Sequence, residues 1–369
     1  MPKIVLFGAT GYTGRLTAEV LTARGASPVL AGRNGAALAK LADELGGCRT
    51  AVADVTDPAS VRALLGRGDV LVTTVGPFLR HGHPALAAAI AAGAHYIDST
   101  GEGPFIRTVF EHDDHARAAG AGLLTAFGFD YVPGNLAAGL ALREAPTAVR
   151  AEIGYFMESP GTSGGTRASM AGMLFEPGFA LRSGQVVTER TGARLRSFDV
   201  AGKSRPGVSI PGSEHFALTR SHPHLREVEV YLGLPPIAAQ GLHVGSRLTS
   251  VVAQVPVLKR GLDEALARTV KGSTGGPDAE ARRRTRSWVV AEAQDAAGKT
   301  LATVTLKGGD PYDFTAAILA WAADTALGGG LLGSGALGPV DAFGLDALHT
   351  AAREAGWSRH LSSIEPDAT

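Results

Sequence analysis

The sequence has little cysteine, no excess of charge and no long uninterrupted apolar run. Cys48 is the one cysteine in 369 residues, so no intramolecular disulfide can form. Lys plus Arg and Asp plus Glu are 35 each, and a formal net charge of zero argues against nucleic acid or an anionic membrane as a general partner. The apolar run over 231–246 is interrupted by Pro and Gly, so no integral membrane segment is predicted.

The cell compartment follows from the same absences. No secretion signal is recognised before the first apolar strand, and a single cysteine fits a reducing environment. We therefore expect a cytoplasmic protein that acts on a small-molecule substrate. A homodimer is considered, but the sequence does not set the oligomeric state.

What the sequence does contain is a regular alternation of short strands and helices over its first 130 residues. The continuous apolar run at 4–7 is typical of a strand buried on both faces, and 70–74 and 94–98 are further short strands. Their spacing predicts a doubly wound α/β parallel sheet of the Rossmann type.

The pattern changes after about Val132 and predicts a second, α+β domain of mainly antiparallel sheet. Alternating residues at 151–157 and 228–232 indicate half-buried strands, and the pair 288–294 and 301–306 flanks a hairpin turn. The segment 202–213 is predicted as loop and 262–270 as helix. We assign 1–133 plus 312–369 to the first domain and 134–311 to the second.

The stretch "KIVLFGATGYTGRL" places three glycines between a buried strand and an amphipathic helix. Gly8 would permit the tight turn, Gly11 would let the backbone approach a pyrophosphate, and Gly14 would let helix and strand pack closely. The free N–H groups of the helix start would face the phosphates. The alternative is a glycine-rich turn without a ligand.

The end of the second strand, Gly32 and Arg33, discriminates between the two nicotinamide cofactors. NAD-binding units usually carry an acid near this position for the ribose 2′-hydroxyl, whereas Arg33 is the one charged residue between Gly25 and Lys40. A guanidinium can bind a 2′-phosphate through two hydrogen bonds. We therefore predict NADP(H), with an exposed surface arginine as the alternative.

Further polar residues follow the later strands, where ligands of such sheets bind. Asp54 could lie on the adenine side or be a simple turn residue, and both remain open. "TTVGPF" offers Thr74, Gly76 and Pro77 on the nicotinamide side. No Cys-x-x-Cys and no His-Glu-x-x-His occurs, so no metal site is expected.

An ordered set of motifs resembles the saccharopine dehydrogenase-like reductases, and within them the bacterial trans-acting enoyl reductases. The motifs are "VLFGATGYTGRL", "TTVGPFLRHG", "STGE", "FGFDYVPGNL", "SGGTRASM" and "GDPYDFTA". The resemblance implies a Rossmann domain, a discontinuous second domain and NADP(H) chemistry. It assigns cofactor contacts to Gly8, Thr10, Gly11, Tyr12, Thr13, Gly14 and Arg33, and to Thr74, Val75, Gly76 and Pro77.

The expected activity is an NADPH-dependent reduction of a conjugated C=C (enoyl-type) or a C=N in a cleft between the domains. Candidates for proton donation or substrate orientation are Tyr131, Asp130, Glu102, His81 and Ser163. Three alternatives remain open: an NADP(H)-sensing protein without turnover, a redox-neutral enzyme that recycles its nicotinamide, and a saccharopine-reductase-like C–N forming enzyme.

Overall fold

The computed structural model describes residues 1–173, 176–253 and 275–360, and these residues form two β-sheets with helices around them. The helix predicted at 262–270 lies outside the described residues. The described strands are β1 (Ile4–Phe7), β2 (Val29–Gly32), β3 (Thr50–Val52), β4 (Val70–Thr73), β5 (His95–Asp98), β6 (Gly122–Leu124), β7 (Arg150–Glu158), β8 (Gly178–Arg182), β9 (Gln185–Glu189), β10 (Leu195–Val200), β11 (Lys203–Ile210), β12 (Glu227–Gly233), β13 (Arg286–Gln294), β14 (Thr300–Gly308), β15 (Gly335–Ala336) and β16 (Ser358–His360).

The helices that connect and cover these strands are mostly short. They are α1 (Tyr12–Ala23), α2 (Gly35–Glu44), α3 (Pro58–Arg62), α4 (Phe78–His81), α5 (His83–Ala92), α6 (Gly103–Glu111), α7 (Asp113–Ala119), α8 (Val132–Glu144), α9 (Gly164–Gly172), α10 (Glu214–Ser221), α11 (Pro236–Ala253), α12 (Ala279–Arg284), α13 (Pro311–Leu327), α14 (Pro339–Phe343) and α15 (Leu345–Glu354).

The first sheet is parallel throughout, with the described strands in the order β3-β2-β1-β4-β5-β6-β15. Every residue of β1 and β4 is buried or nearly so, because helices cover both faces. The order reverses direction at β1, and this is the position where doubly wound sheets bind their ligands. The predicted Rossmann-type sheet is confirmed.

The second sheet is mainly antiparallel. Its described strands run β10-β11-β12-β7-β13-β14-β16, and the hairpin of β8 and β9 is attached to β12. One pair, β7 with β12, is parallel. The predicted hairpin is present as β13 and β14. The predicted α+β part with a mainly antiparallel sheet is therefore confirmed as well.

One segment differs from the sequence prediction. The stretch 202–213, predicted as loop, contains β11, which pairs with β10 along its length. Its pairing with β12 begins only at Gly207, so Pro206 lies where the missing N–H removes no bond to β12.

The chain passes between the two sheets more than once. Helix α8 packs against β7, β13 and β14, and α13 returns to pack against α1 and β4 of the first sheet. After β15 has joined the first sheet, β16 pairs with β14 in the second. The proposed division at 133/134 and 311/312 remains a prediction.

Candidate active site

A single cleft of about 2220 Å³ runs from the carboxyl ends of the first sheet's strands to the second sheet. Ordinary ligand pockets measure about 300–1,000 Å³, so this cleft has room for a dinucleotide and a second molecule. Most of the predicted site residues line it: Gly8, Thr10, Gly11, Tyr12, Thr13, Gly32, Arg33, Asp54, Thr74, Val75, Gly76, His81, Glu102, Asp130, Tyr131 and Ser163.

Gly14 and Pro77 are the two predicted site residues that do not line the cleft. A Cβ on Gly14 would overlap the carbonyl oxygen of Gly8, so this glycine lets α1 pack on β1. Pro77 precedes α4 and is joined to Gly76 by a cis peptide bond.

The three glycines have different surroundings, and the pyrophosphate contact of Gly11 stays a prediction. Gly8 has a φ of +91°, and a Cβ there would lie 2.8 Å from Thr74 Oγ1, so only glycine fits this turn. A Cβ on Gly11 would meet only the Gly8 carbonyl oxygen, at 3.2 Å, and otherwise would enter the open cleft. Space over Gly11 is what the close approach of a pyrophosphate requires.

The start of α1 has the electrostatics of an anion site. Its first turn contains no acidic residue. Gly11 is the N-cap residue, and no side chain in the described part of the chain forms a capping hydrogen bond there. The N–H groups of the first turn therefore remain available to phosphate oxygens, and the helix dipole favours negative charge there. Thr10, Tyr12 and Thr13 line the cleft at this end.

Arg33 lines the cleft near His81 and Asp54. The Arg33 side chain is exposed and forms no ion pair within 4.0 Å with any residue that the structure describes. Asp54 Oδ1 accepts hydrogen bonds from the Thr56 N–H and hydroxyl, both at 2.8 Å. These bonds lower the pKa of Asp54, and the nearby Arg33 and His81 lower it further.

His81 was predicted as a catalytic candidate, and its surroundings favour a different role. Burial lowers the pKa of His81, and the positive charges of Arg80 and Arg33 add to this effect. A larger fraction of the His81 imidazole is therefore neutral than in an ordinary histidine, which disfavours proton donation. Its role as catalyst remains a prediction.

A contact that the sequence did not predict covers the start of α1. The Tyr12 hydroxyl donates to the carbonyl of Pro277, and Arg282 Nη1 donates to the Tyr12 oxygen at 3.1 Å. We call residues 275–278 the roof segment, since they lie on the Tyr12 ring and line the cleft. No local sequence signal links residues 265 positions apart.

Glu102 is buried, and both of its carboxylate oxygens have protein donors. Oε1 accepts from the Phe78 N–H at 2.8 Å and the Ser169 hydroxyl at 2.6 Å, and Oε2 accepts from the Leu79 N–H at 2.9 Å. The carboxylate thus joins the start of α4 to α9. The sequence suggested either proton donation or substrate orientation for Glu102. Because both oxygens already accept hydrogen bonds from the protein, the geometry favours an orienting role.

Asp130 has the opposite environment. Its side chain is exposed to the cleft, and none of the described residues donates a hydrogen bond to its carboxylate. Desolvation by the protein around the cleft nevertheless raises the pKa of Asp130 to about 6. A carboxyl group without partners whose pKa lies near neutrality is suited to donate or accept a proton.

Tyr131 is buried, and its hydroxyl donates to the Pro211 carbonyl at 3.0 Å. Desolvation first, and then the carboxyl groups of Asp130 and Glu214, raise the pKa of Tyr131 well above its usual value. Proton donation from this phenol would first require the bond to Pro211 to break. The geometry favours a structural role on the cleft floor.

Ser163 caps α9 and belongs to a hydroxyl cluster that includes a residue missed from the sequence. Ser163 Oγ accepts from the Thr166 N–H at 3.1 Å. Tyr312 accepts from the Ser163 N–H at 2.7 Å and lies 2.7 Å from Thr166 Oγ1. The "GDPYDFTA" motif contains Tyr312, and this could have drawn attention to it.

The described residues form neither a metal-binding cluster nor a membrane-spanning helix. Among the described residues there is no group of three or more His, Cys, Asp or Glu side chains able to hold a metal ion. In the same part of the chain no helix combines the length and the apolar character needed to cross a membrane.

Parts of the chain are similar to known proteins. Residues 4–124 match the family described as the saccharopine dehydrogenase NADP-binding domain. A trans-acting enoyl reductase of Mycobacterium leprae is 42% identical over 140 residues, which cover 36% of this chain and 34% of that protein. A Mycobacterium tuberculosis protein with the provisional name of trans-acting enoyl reductase is 39% identical over 183 residues, 46% of this chain and 44% of that protein.

The match thus spans less than half the length of these relatives. Saccharopine dehydrogenase (L-Glu forming) of Saccharomyces cerevisiae, in its apo form, covers 98% of this chain and 100% of its own, with a TM-score of 0.60 and 15% identity. That likeness shows a shared fold. The family match confirms the predicted NADP(H) cofactor. Residues 4–124 are therefore similar to saccharopine dehydrogenase NADP-binding domains, and parts of the chain are similar to mycobacterial trans-acting enoyl reductases.

Proposed function

We propose that the chain is an NADPH-dependent oxidoreductase that delivers a hydride to a conjugated C=C, or to a C=N, of a small organic or lipid-like substrate. The observation that carries this proposal is the position of Asp130. Its carboxyl group, without a partner among the described residues, lies in the same cleft as the glycine loop and Arg33. A cofactor-binding loop and a proton-active group that share one cleft are the minimum that such a reduction needs.

The residues that would hold the cofactor fit its chemical groups. The first turn of α1 would bind the pyrophosphate, and Arg33 would bind the 2′-phosphate. Thr74 to Gly76 would lie beside the nicotinamide half. When bound, NADPH supplies the hydride.

Asp130 would supply the proton. Addition of a hydride to a conjugated C=C, or to a C=N, leaves a negative charge that one proton must neutralise. The protonated carboxyl group of Asp130 donates that proton and is then reprotonated from cleft water. Because its pKa is raised to about 6, a larger fraction carries a proton near neutrality than for an ordinary aspartate.

The second sheet supports turnover over cofactor sensing. Ile210, Leu232 and Leu234 extend the cleft as an apolar wall beyond Asp130. A sensor would read the dinucleotide with the first sheet alone, whereas this wall suits the organic part of a substrate. The homodimer and the cytoplasmic location stay predictions.

The test is a spectrophotometric assay of NADPH oxidation with conjugated enones, enoyl thioesters and imines. We expect at least one class to be reduced, and Asp130→Asn to lower kcat while NADPH affinity stays unchanged. Glu111→Gln, on α6 outside the cleft lining, is the matched control. Tight NADPH binding without oxidation in any class would favour the sensor, and full activity of Asp130→Asn would remove Asp130 from the mechanism.

A further inference from the structure

A second carboxyl group is buried behind Asp130, together with two phenols. Glu214 on α10 is fully buried, and Tyr155 on β7 is 1% exposed. The Tyr155 oxygen lies 2.5 Å from Glu214 Oε1 and 3.3 Å from the Tyr131 carbonyl, and it accepts from the Gly134 N–H at 3.0 Å.

The hydrogen bonds of this cluster are best satisfied when Glu214 carries a proton. Tyr155 has one hydroxyl proton, which can go either to Glu214 or to the Tyr131 carbonyl. If Glu214 is protonated, it donates to Tyr155, and Tyr155 is free to donate to Tyr131. An ionised Glu214 would keep a buried Oε2 without a hydrogen bond and without an ion pair among the described residues.

The ionisable groups that face Glu214 are few. They are Tyr155 on β7 and, at the start of α8, Asp130 and Tyr131. Desolvation raises the pKa of Glu214 to about 8, the bond from Tyr155 opposes this rise, and the charge of Asp130 adds to it. Two neighbouring carboxyl groups without a cation ionise one after the other.

We propose that Glu214 is a positioning residue for Asp130: it holds the proton that lets Tyr155 donate to the Tyr131 carbonyl, and this bond fixes the backbone next to Asp130. The inference rests on the proposed function only in treating Asp130 as the proton donor. The cluster itself, and its coupling to Asp130, exist without substrate.

Infrared difference spectroscopy of the substrate-free protein across a pH series tests the coupling. The C=O stretch of protonated Glu214 should disappear with a midpoint near pH 8 and should be absent in Glu214→Gln. Asp130→Asn should move this midpoint down, because the opposing negative charge is gone. Tyr155→Phe should move it up, because the bond that stabilises the carboxylate is gone.

The control variants separate this signal from other buried acids. Glu229→Gln, on β12, removes a buried glutamate that pairs with Arg182 and should leave the midpoint unchanged. Asp98, a buried acid with a pKa of about 6, should keep its own C=O band in every variant. A midpoint that Asp130→Asn leaves in place, or a Glu214 that loses its proton below pH 6, would overturn the proposal. Because no substrate or NADPH is present, neither result depends on the proposed activity.

Discussion

Replacement of Arg33 by alanine should change the choice of cofactor rather than cofactor binding as a whole. A hydrogen bond to a charged group contributes about 1.5–3 kcal/mol. Arg33 is exposed, so solvent screening places its contribution at the lower end, about 1.5 kcal/mol. Because no described residue forms an ion pair with Arg33, binding of the 2′-phosphate breaks no such contact, and the binding free energy is not reduced by that cost.

Arg33→Ala should therefore weaken NADPH binding by about tenfold and leave NADH binding unchanged. Isothermal titration calorimetry with both cofactors at fixed ionic strength measures the two affinities. Arg62→Ala, on α3 outside the cleft lining, makes the same change in net charge and controls for the long-range field. Equal losses for NADPH and NADH, or a loss as large in Arg62→Ala, would refute the assignment of Arg33 to the 2′-phosphate.

Three further predictions follow from the site. Gly11→Val should place a branched side chain where the pyrophosphate approaches and abolish NADPH binding by calorimetry, with a thermal melt like that of the wild type; retained affinity would contradict the loop's role. If Asp130 is the proton donor, kcat/KM should fall as pH rises through about 6, and Asp130→Asn should lower kcat by about 10²-fold and remove this pH dependence. The pKa of Glu214 is higher in the folded protein, about 8, than its ordinary 4.5, so the folded state binds more protons in this interval and stability is lost as pH rises toward 8. The Tm of Glu214→Gln should depend less on pH over that range, and parallel curves for both proteins would contradict a buried neutral acid.

The first sheet could be predicted from the sequence because its signals are local. Buried strands, glycine turns and Asp57-Pro58 at the start of α3 each act within a few residues. The strand β11 was missed since Pro206 and Gly207 are ordinarily loop residues, and only the neighbouring strands show that this position tolerates them.

The candidate site was predictable in its composition but not in its roles. The sequence placed Asp130, Tyr131 and Glu102 together at the strand ends, and all three line the cleft. It could not show that both Glu102 oxygens accept hydrogen bonds, while those of Asp130 accept none from the residues that the structure describes. Glu214 gave no signal at all, because its proton is set by burial and by Tyr155, which is 59 positions away in the chain.

The repeated passage of the chain between the sheets limits how the cleft can open. Three covalent connections join the sheets: β6 to β7, β14 to α13, and α15 to β16. The second runs from Gly308 to Pro311 and the third from Glu354 to Ser358, and at roughly 3.5 Å per residue neither can lengthen by much. Short connections at these places limit how far the two sheets can separate when a ligand enters the cleft.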